Sequence, residues 1–232
     1  MSLNGENNRA VMMLSGTIVS NPSDANRIDT LSIGSGASCN GNYSVVIGPL
    51  AQGSSLGSAT VIGRQARGGN GSIAIGGGVQ VLGANAIGIA GPASANFAVA
   101  MGYNSSATAE RSVAIGPDTN STHVYSVGIG YNCDSQGDYS TAVGTNALAG
   151  SRSIALGLHA YASNDYSIAM GNYMVAPTSG LVIGAGSNNH ILSGQMNDTF
   201  DAVNGHLNIL GDSLKVSGNG QVRVNDAYTL PT

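Results

Sequence analysis

The chain has 232 residues, 35 of them glycine, no tryptophan, only 9% charged side chains and a net charge of −4. Ordinary globular domains carry about 25% charged residues, and a chain with no basic field gives nucleic acid no electrostatic footprint, which excludes that partner. Met1-Ser-Leu-Asn lacks a basic n-region, the apolar run Ala10–Leu14 is too short for a signal peptide, and with no run near ~18 apolar residues no membrane insertion is expected.

Residues 1–29 carry no repeat. Within them, Val11-Met-Met-Leu14 and Gly16-Thr-Ile-Val19 predict a strand that covers an open sheet edge, since such an edge templates aggregation. Asn21-Pro-Ser-Asp24 predicts a turn.

From residue 30 to about residue 190 one pattern recurs, with a closing glycine as its anchor. The anchors are Gly34, Gly48, Gly63, Gly76, Ala90, Gly102, Gly116, Gly130, Gly144, Gly157, Gly171 and Gly184, spaced 12 to 15 residues apart. So short a period cannot hold a helix pair or a four-stranded blade, so each unit is a single coil of a β-solenoid. Twelve such coils at ~4.8 Å make a rod of roughly 55–60 Å.

The residue before each anchor is apolar throughout, from Ile33 and Ile47 to Ile183, and the residue three before it is nearly always branched, as in Val99, Val113 and Ile168. A spacing of two puts both columns on one face of a short strand, and that face is expected to be the core. The residue between them is small, as in Ala74, Ala100, Ala114, Gly128, Ala142, Ala155 and Ala169. A solvated face would carry polar side chains. This flat column is therefore expected either to meet a sister protomer or to lie under the chain's own terminal segments, and the subunit contact is the favoured reading. Small residues three and five places after the anchor predict a second, thinner strand, and the anchor glycine suits a turn of positive φ.

Beyond Gly184 the period breaks. Ile191-Leu-Ser-Gly194 and Ala202-Val-Asn-Gly205 resemble shortened coils, and Ser213–Val224 alternates about Gly218-Asn-Gly220 as a β-hairpin does. The domain organisation is thus a cap segment over 1–29, a repeat head over 30–190, and degenerate coils with a hairpin stem over 191–232.

Enzyme signatures are missing: no HExxH, CxxC or phosphate loop occurs, and no catalytic residue, cofactor or metal is expected. Asp118, Ser121 and His123 read as turn residues. Asp134 and Asp138 leave a polysaccharide-cleaving carboxylate pair as a minor alternative. Cys39 and Cys133 lie seven coils, about 34 Å, apart, far beyond the roughly 7 Å a disulfide spans; free thiols suit a reducing compartment. Five residues before the anchor run Phe97, Arg111, Tyr125, Tyr139, Arg152 and Tyr166. Stacked coil on coil, they form an aromatic and guanidinium stripe, either structural glue or a candidate receptor-binding stripe for sugar rings or protein. Two residues after the anchor, Asn104, Asp118, Asn132, Asn146 and His159 predict a hydrogen-bonded ladder.

Ser72-Ile-Ala-Ile-Gly76, Ser112-Val-Ala-Ile-Gly116 and Ser126-Val-Gly-Ile-Gly130 resemble the signature of YadA-like head repeats. The resemblance implies a left-handed parallel β-roll, a homotrimer of side-by-side chains with no catalytic residues, and adhesion to a surface. Such heads occur in trimeric autotransporter adhesins and in tailed-phage fibres. Asp201-Ala-Val-Asn204 resembles the neck motif that follows such heads, and Asn225–Thr232 resembles a stretch of phage tail-fibre proteins. The expectation is an all-β, homotrimeric, non-enzymatic tail-fibre module on the virion, binding a host cell-surface receptor or polysaccharide. The alternative is the head of a bacterial adhesin on the outer cell surface, which calls for a signal peptide, a coiled-coil stalk and a membrane anchor. A polysaccharide-degrading tailspike ranks lower, and an ice-binding solenoid is set aside because the threonines are scattered.

Overall fold

The computed structural model describes residues 30–39, 41–176, 179–186 and 190–195. Among them every regular element is a β-strand. Each repeat unit contributes a three-residue strand such as Val99–Met101, Val113–Ile115 or Val127–Ile129. Branched residues at its first and last positions favour extended backbone. The anchor glycine then ends it, with φ between 118° and 148° at Gly34, Gly48, Gly63, Gly76, Gly102, Gly116, Gly130, Gly144, Gly157 and Gly171. A Cβ on Gly102 would lie 2.6 Å from the carbonyl of Gly116, one coil on. Glycine is needed there both for its φ and for the close stacking of the coils.

These strands build one 13-stranded sheet in chain order, from Leu31–Ile33 to Gly180–Gly184 and finally His190–Gln195. Neighbours are parallel and in register, so Ala100 sits beside Ala114, and Ala114 beside Gly128. Two-residue strands form the opposite face: Ser106–Ala107, Asn120–Ser121, Asp134–Ser135, Leu148–Ala149 and Tyr161–Ala162 make one sheet. Arg67–Gly68 pairs with Gln80–Val81, and single bridges through Ser38, Gln52, Ala93 and Val175 extend the same face along the rod. The result is a flattened parallel β-solenoid of about 11 turns, with two sheets and two turns per coil.

The interior overturns the sequence-based assignment of faces. Ala74, Ala100, Ala114, Ala142, Ala155 and Ala169 are fully buried within the single chain, and Gly128 is buried between them. They are the core, not a subunit contact. With them point inward the residues two places earlier, among them Ser112, Ser126 and Ser140, the second strand's Ala107, Ser121, Ser135 and Ala149, and Cys133 just before that strand. The large residues one and three places before the anchor point out: Ile62, Ile73, Met101, Ile129, Ile154 and Met170 are exposed, while Val46, Val61 and Val182 in the alanine column are buried.

The physical reason is the thinness of the roll. Ser121 Oγ crosses the interior and donates to the Val113 carbonyl of the facing sheet at 2.7 Å, and Ser135 Oγ does the same to Val127 at 2.6 Å. A gap bridged by a serine holds no isoleucine. Most of the buried hydroxyls are also satisfied, as burial requires: Ser112, Ser126 and Ser140 donate to the carbonyls three residues before them at 2.6–2.7 Å, while Ser32 Oγ in the first coil has no partner among the described residues.

At the C-terminal end the last parallel strand, Gly180–Gly184, pairs antiparallel with His190–Gln195. Ile191–Gly194 is therefore a returning strand rather than a shortened coil. The expected cap strand (11–19), the second degenerate coil (202–205), the neck motif (201–204), the hairpin (213–224) and the tail (225–232) lie outside the described residues.

Candidate interaction surfaces

Each coil turns twice, and most turns hold a residue at positive φ. Besides glycines, after the anchor these are Leu50, Gln65, Asn104, Asp118, Asn132, Asn146, His159 and Tyr173; before the wall strand they are Tyr43, Asn85, Phe97, Arg111, Tyr125, Tyr139, Arg152, Tyr166 and Ser179. Asn, Asp and His enter this region more readily than bulky residues do, and they fill most of the first set's second half. The second set is mostly aromatic and arginine, at a backbone cost of order 1 kcal/mol each.

That second set is the stripe, and it forms. Arg111 stands 5.3 Å from the Phe97 ring centre and 5.3 Å from that of Tyr125. Tyr125 and Tyr139 stack at 5.1 Å and 8°. Arg152 lies 5.8 Å from Tyr139 and 5.4 Å from Tyr166. Contacts of about 0.5–1.5 kcal/mol each offset the backbone cost. Arg111 Nη1 also donates to Glu110 at 2.6 Å and to the Tyr125 hydroxyl at 2.9 Å.

The ladder on the other turn forms as well. Asn104 Nδ2 donates to Asp118 at 2.8 Å, Asn132 Nδ2 to Asn146 at 2.7 Å, and Asn146 Nδ2 lies 3.3 Å from His159 Nε2. His159 then stacks on Tyr173 at 4.9 Å. Beside the ladder runs a shallow groove lined by Asn132, Asp134, Asn146, Leu148, His159 and Tyr161. Asp118, Ser121 and His123 are not brought together: Asp118 is in the ladder, Ser121 is inside the roll, and His123 sits beside Thr122. Asp138 accepts from the Val124 amide, and Asp134 from Gln136; both serve local structure.

The surface missed in the sequence is the outward face of the 13-stranded sheet. Its two columns, one and three residues before the anchor, contain no charge and only Thr60 and Thr141 as polar residues. Over eleven steps of ~4.8 Å and a width of about 10 Å this wall covers on the order of 500 Å², towards the upper end of the largest apolar patch on a soluble monomer, a size that often marks an interaction site. The signal lay in the buried serines, which share the parity of the alanine column.

Residues 93–119, 124–147 and 149–173 match the family model of the YadA head domain repeat. No curated protein matches the chain. The matched coils are those that carry the stripe and the whole of the ladder from Asn104 to His159. Over them the solenoid, its closing glycines and strands such as Val113–Ile115 are similar to the YadA head domain repeat.

Proposed function

We propose that the chain is the head of a homotrimeric, non-enzymatic adhesive fibre, attaching to a cell-surface receptor or polysaccharide. The observation that carries this reading is the uncharged apolar wall along the whole solenoid. A second and third copy of the chain are its fitting occupants, because the wall runs continuously from Leu31 to Ile183 and YadA head domains are trimeric adhesin modules. Closed rotation buries all three walls at once and leaves no copy bare. Attachment then falls to what stays outside, foremost the amide ladder and the groove from Asn132 to Tyr161.

The setting we propose is a tailed-phage fibre contacting its host, a reading supported by the likeness of Asn225–Thr232 to tail-fibre proteins. The second reading, a bacterial adhesin head at the outer cell surface, is favoured by the family match itself. Sedimentation tests the assembly: about three times the 23.1 kDa chain mass is expected, and a monomer refutes it. Binding of the trimer to a glycan array and to intact cells tests attachment. Incubation with capsular polysaccharide should release no reducing ends; release would make the protein a depolymerase.

A further inference from the structure

The stripe and the wall adjoin in every coil. A stripe residue comes two places before the first outward side chain of the wall strand, as Tyr125 precedes Val127, and a second column begins two places after the last, as Tyr131 follows Ile129. One edge of the wall is therefore bordered by the stripe. The other is bordered by Tyr103, Pro117, Tyr131, Thr145, Leu158 and Asn172.

Three walls facing a common axis bring unlike edges together, because rotation sets the leading edge of one protomer against the trailing edge of the next. Closed rotation involves no shift along the axis, so coils meet at their own level. Two coils carry large rings on both edges, while others pair a large side chain with a smaller one, as Tyr139 with Thr145. Tyr103 and Tyr131, 77% and 53% exposed, occur in the coils whose stripe residues are Phe97 and Tyr125. Where the second edge has only Gly77 and Gly91, the stripe position holds Gly71 and Asn85. Within one chain these pairs lie on opposite sides of the wall.

The backbone supports the same conclusion. Phe97, Arg111, Tyr125, Tyr139, Arg152 and Tyr166 hold positive φ, where asparagine would sit more easily. On the ladder edge asparagine and aspartate do occupy the equivalent positions. In-chain stacking offsets that cost, yet Phe97 and Tyr125 stay 48% and 41% exposed in the single chain, which leaves ring surface for a packing partner.

We infer that the stripe is an intersubunit seam, in which Phe97 and Tyr125 of one copy pack against the level edge of a second copy of this chain that carries Tyr103 and Tyr131. The inference rests on the trimeric reading above and reassigns the stripe from receptor contact to assembly.

The test is the double variant Tyr125→Cys with Tyr131→Cys, oxidised by diamide and run on a non-reducing gel. Cys39 and Cys133 are buried and contribute little. Covalent dimers and trimers are expected, with none from either single variant and none from Tyr125→Cys paired with Thr145→Cys, one coil away. A protein that sediments as a trimer but stays at chain mass on the gel overturns the seam and leaves the trimer standing. Sedimentation as a monomer overturns both. Cross-links from the offset pair alone overturn the level register. In the unsubstituted protein, photo-oxidation of trimers refolded from mixed light and heavy-isotope chains should give a Tyr125–Tyr131 dityrosine peptide of mixed isotope. A Tyr125–Tyr131 dityrosine peptide of one isotope only would count against the seam, whereas the in-chain stack of Tyr125 on Tyr139 yields its own same-chain product either way.

Discussion

Ser121 and Val113 lie on opposite sheets, and the Ser121 hydroxyl reaches the Val113 carbonyl at 2.7 Å through the middle of the roll. This one bond measures the gap between the sheets. Ser121→Ala should remove it and lower stability by about 1 kcal/mol, with the coil otherwise intact. Ser121→Leu should be far worse, because the added carbons have no space. Chemical denaturation of both variants checks the order.

Ala114 and Ile115 are chain neighbours with opposite fates. Ala114 is fully buried in the interior, so Ala114→Leu overpacks it and should cost roughly 1–3 kcal/mol or more. Ala114→Glu should prevent folding, since the carboxylate would have no partner and no water. Ile115→Glu points into solvent in the single chain and should leave the fold. Circular dichroism and sedimentation separate these outcomes: a folded Ala114→Glu protein would refute the assigned interior.

The paired walls should fail to a single charge. Ile115→Glu places three carboxylates near the trimer axis, where like charges cannot be hydrated or paired. Monomers of native β content are expected in sedimentation and circular dichroism at micromolar protein. If trimers persist, the wall is not the interface.

The coil, its period and its two strands were legible because the anchor glycine recurs at a spacing only a solenoid accommodates. Which face lay inside was not, since strict alternation defines two faces without ranking them. The usual preference for burying Ile over Ala then pointed the wrong way. Ser44, Ser72 and Ser112 are buried on the alanine side, and that column of serines looks polar until each hydroxyl is seen to have a carbonyl acceptor nearby. The stripe and the ladder were legible as columns, because in-register parallel stacking turns a period into contact. The positive φ of Arg111 and Tyr125 was not, because neither residue type favours it.

Gly102→Ala tests the turn. Its φ is 139° and its Cβ would meet the Gly116 carbonyl at 2.6 Å, so both backbone strain and a clash oppose it. A loss of about 1–3 kcal/mol is expected, read as a lowered melting temperature. Gly78→Ala, with open space around its Cβ and φ of 72°, keeps the backbone strain but not the clash and should cost less. Equal losses would mean that close stacking of the coils contributes nothing at Gly102.

Cys133 offers a titration that reports on the interior. Its Sγ donates to the Ala142 carbonyl at 3.0 Å, and burial pushes its pKa from 9.0 up to about 11. A folded-state pKa raised above the unfolded value means the unfolded chain releases its proton first. The contribution is therefore whole below pH 9 and is lost as pH rises from 9 towards 11. Melting temperatures measured across that window should fall more steeply for the natural protein than for Cys133→Ala. At neutral pH a thiol reagent should label Cys133 only after unfolding, because the thiolate is the reactive form. Identical slopes in the two proteins, or rapid labelling of the native fold, would place this thiol outside the roll.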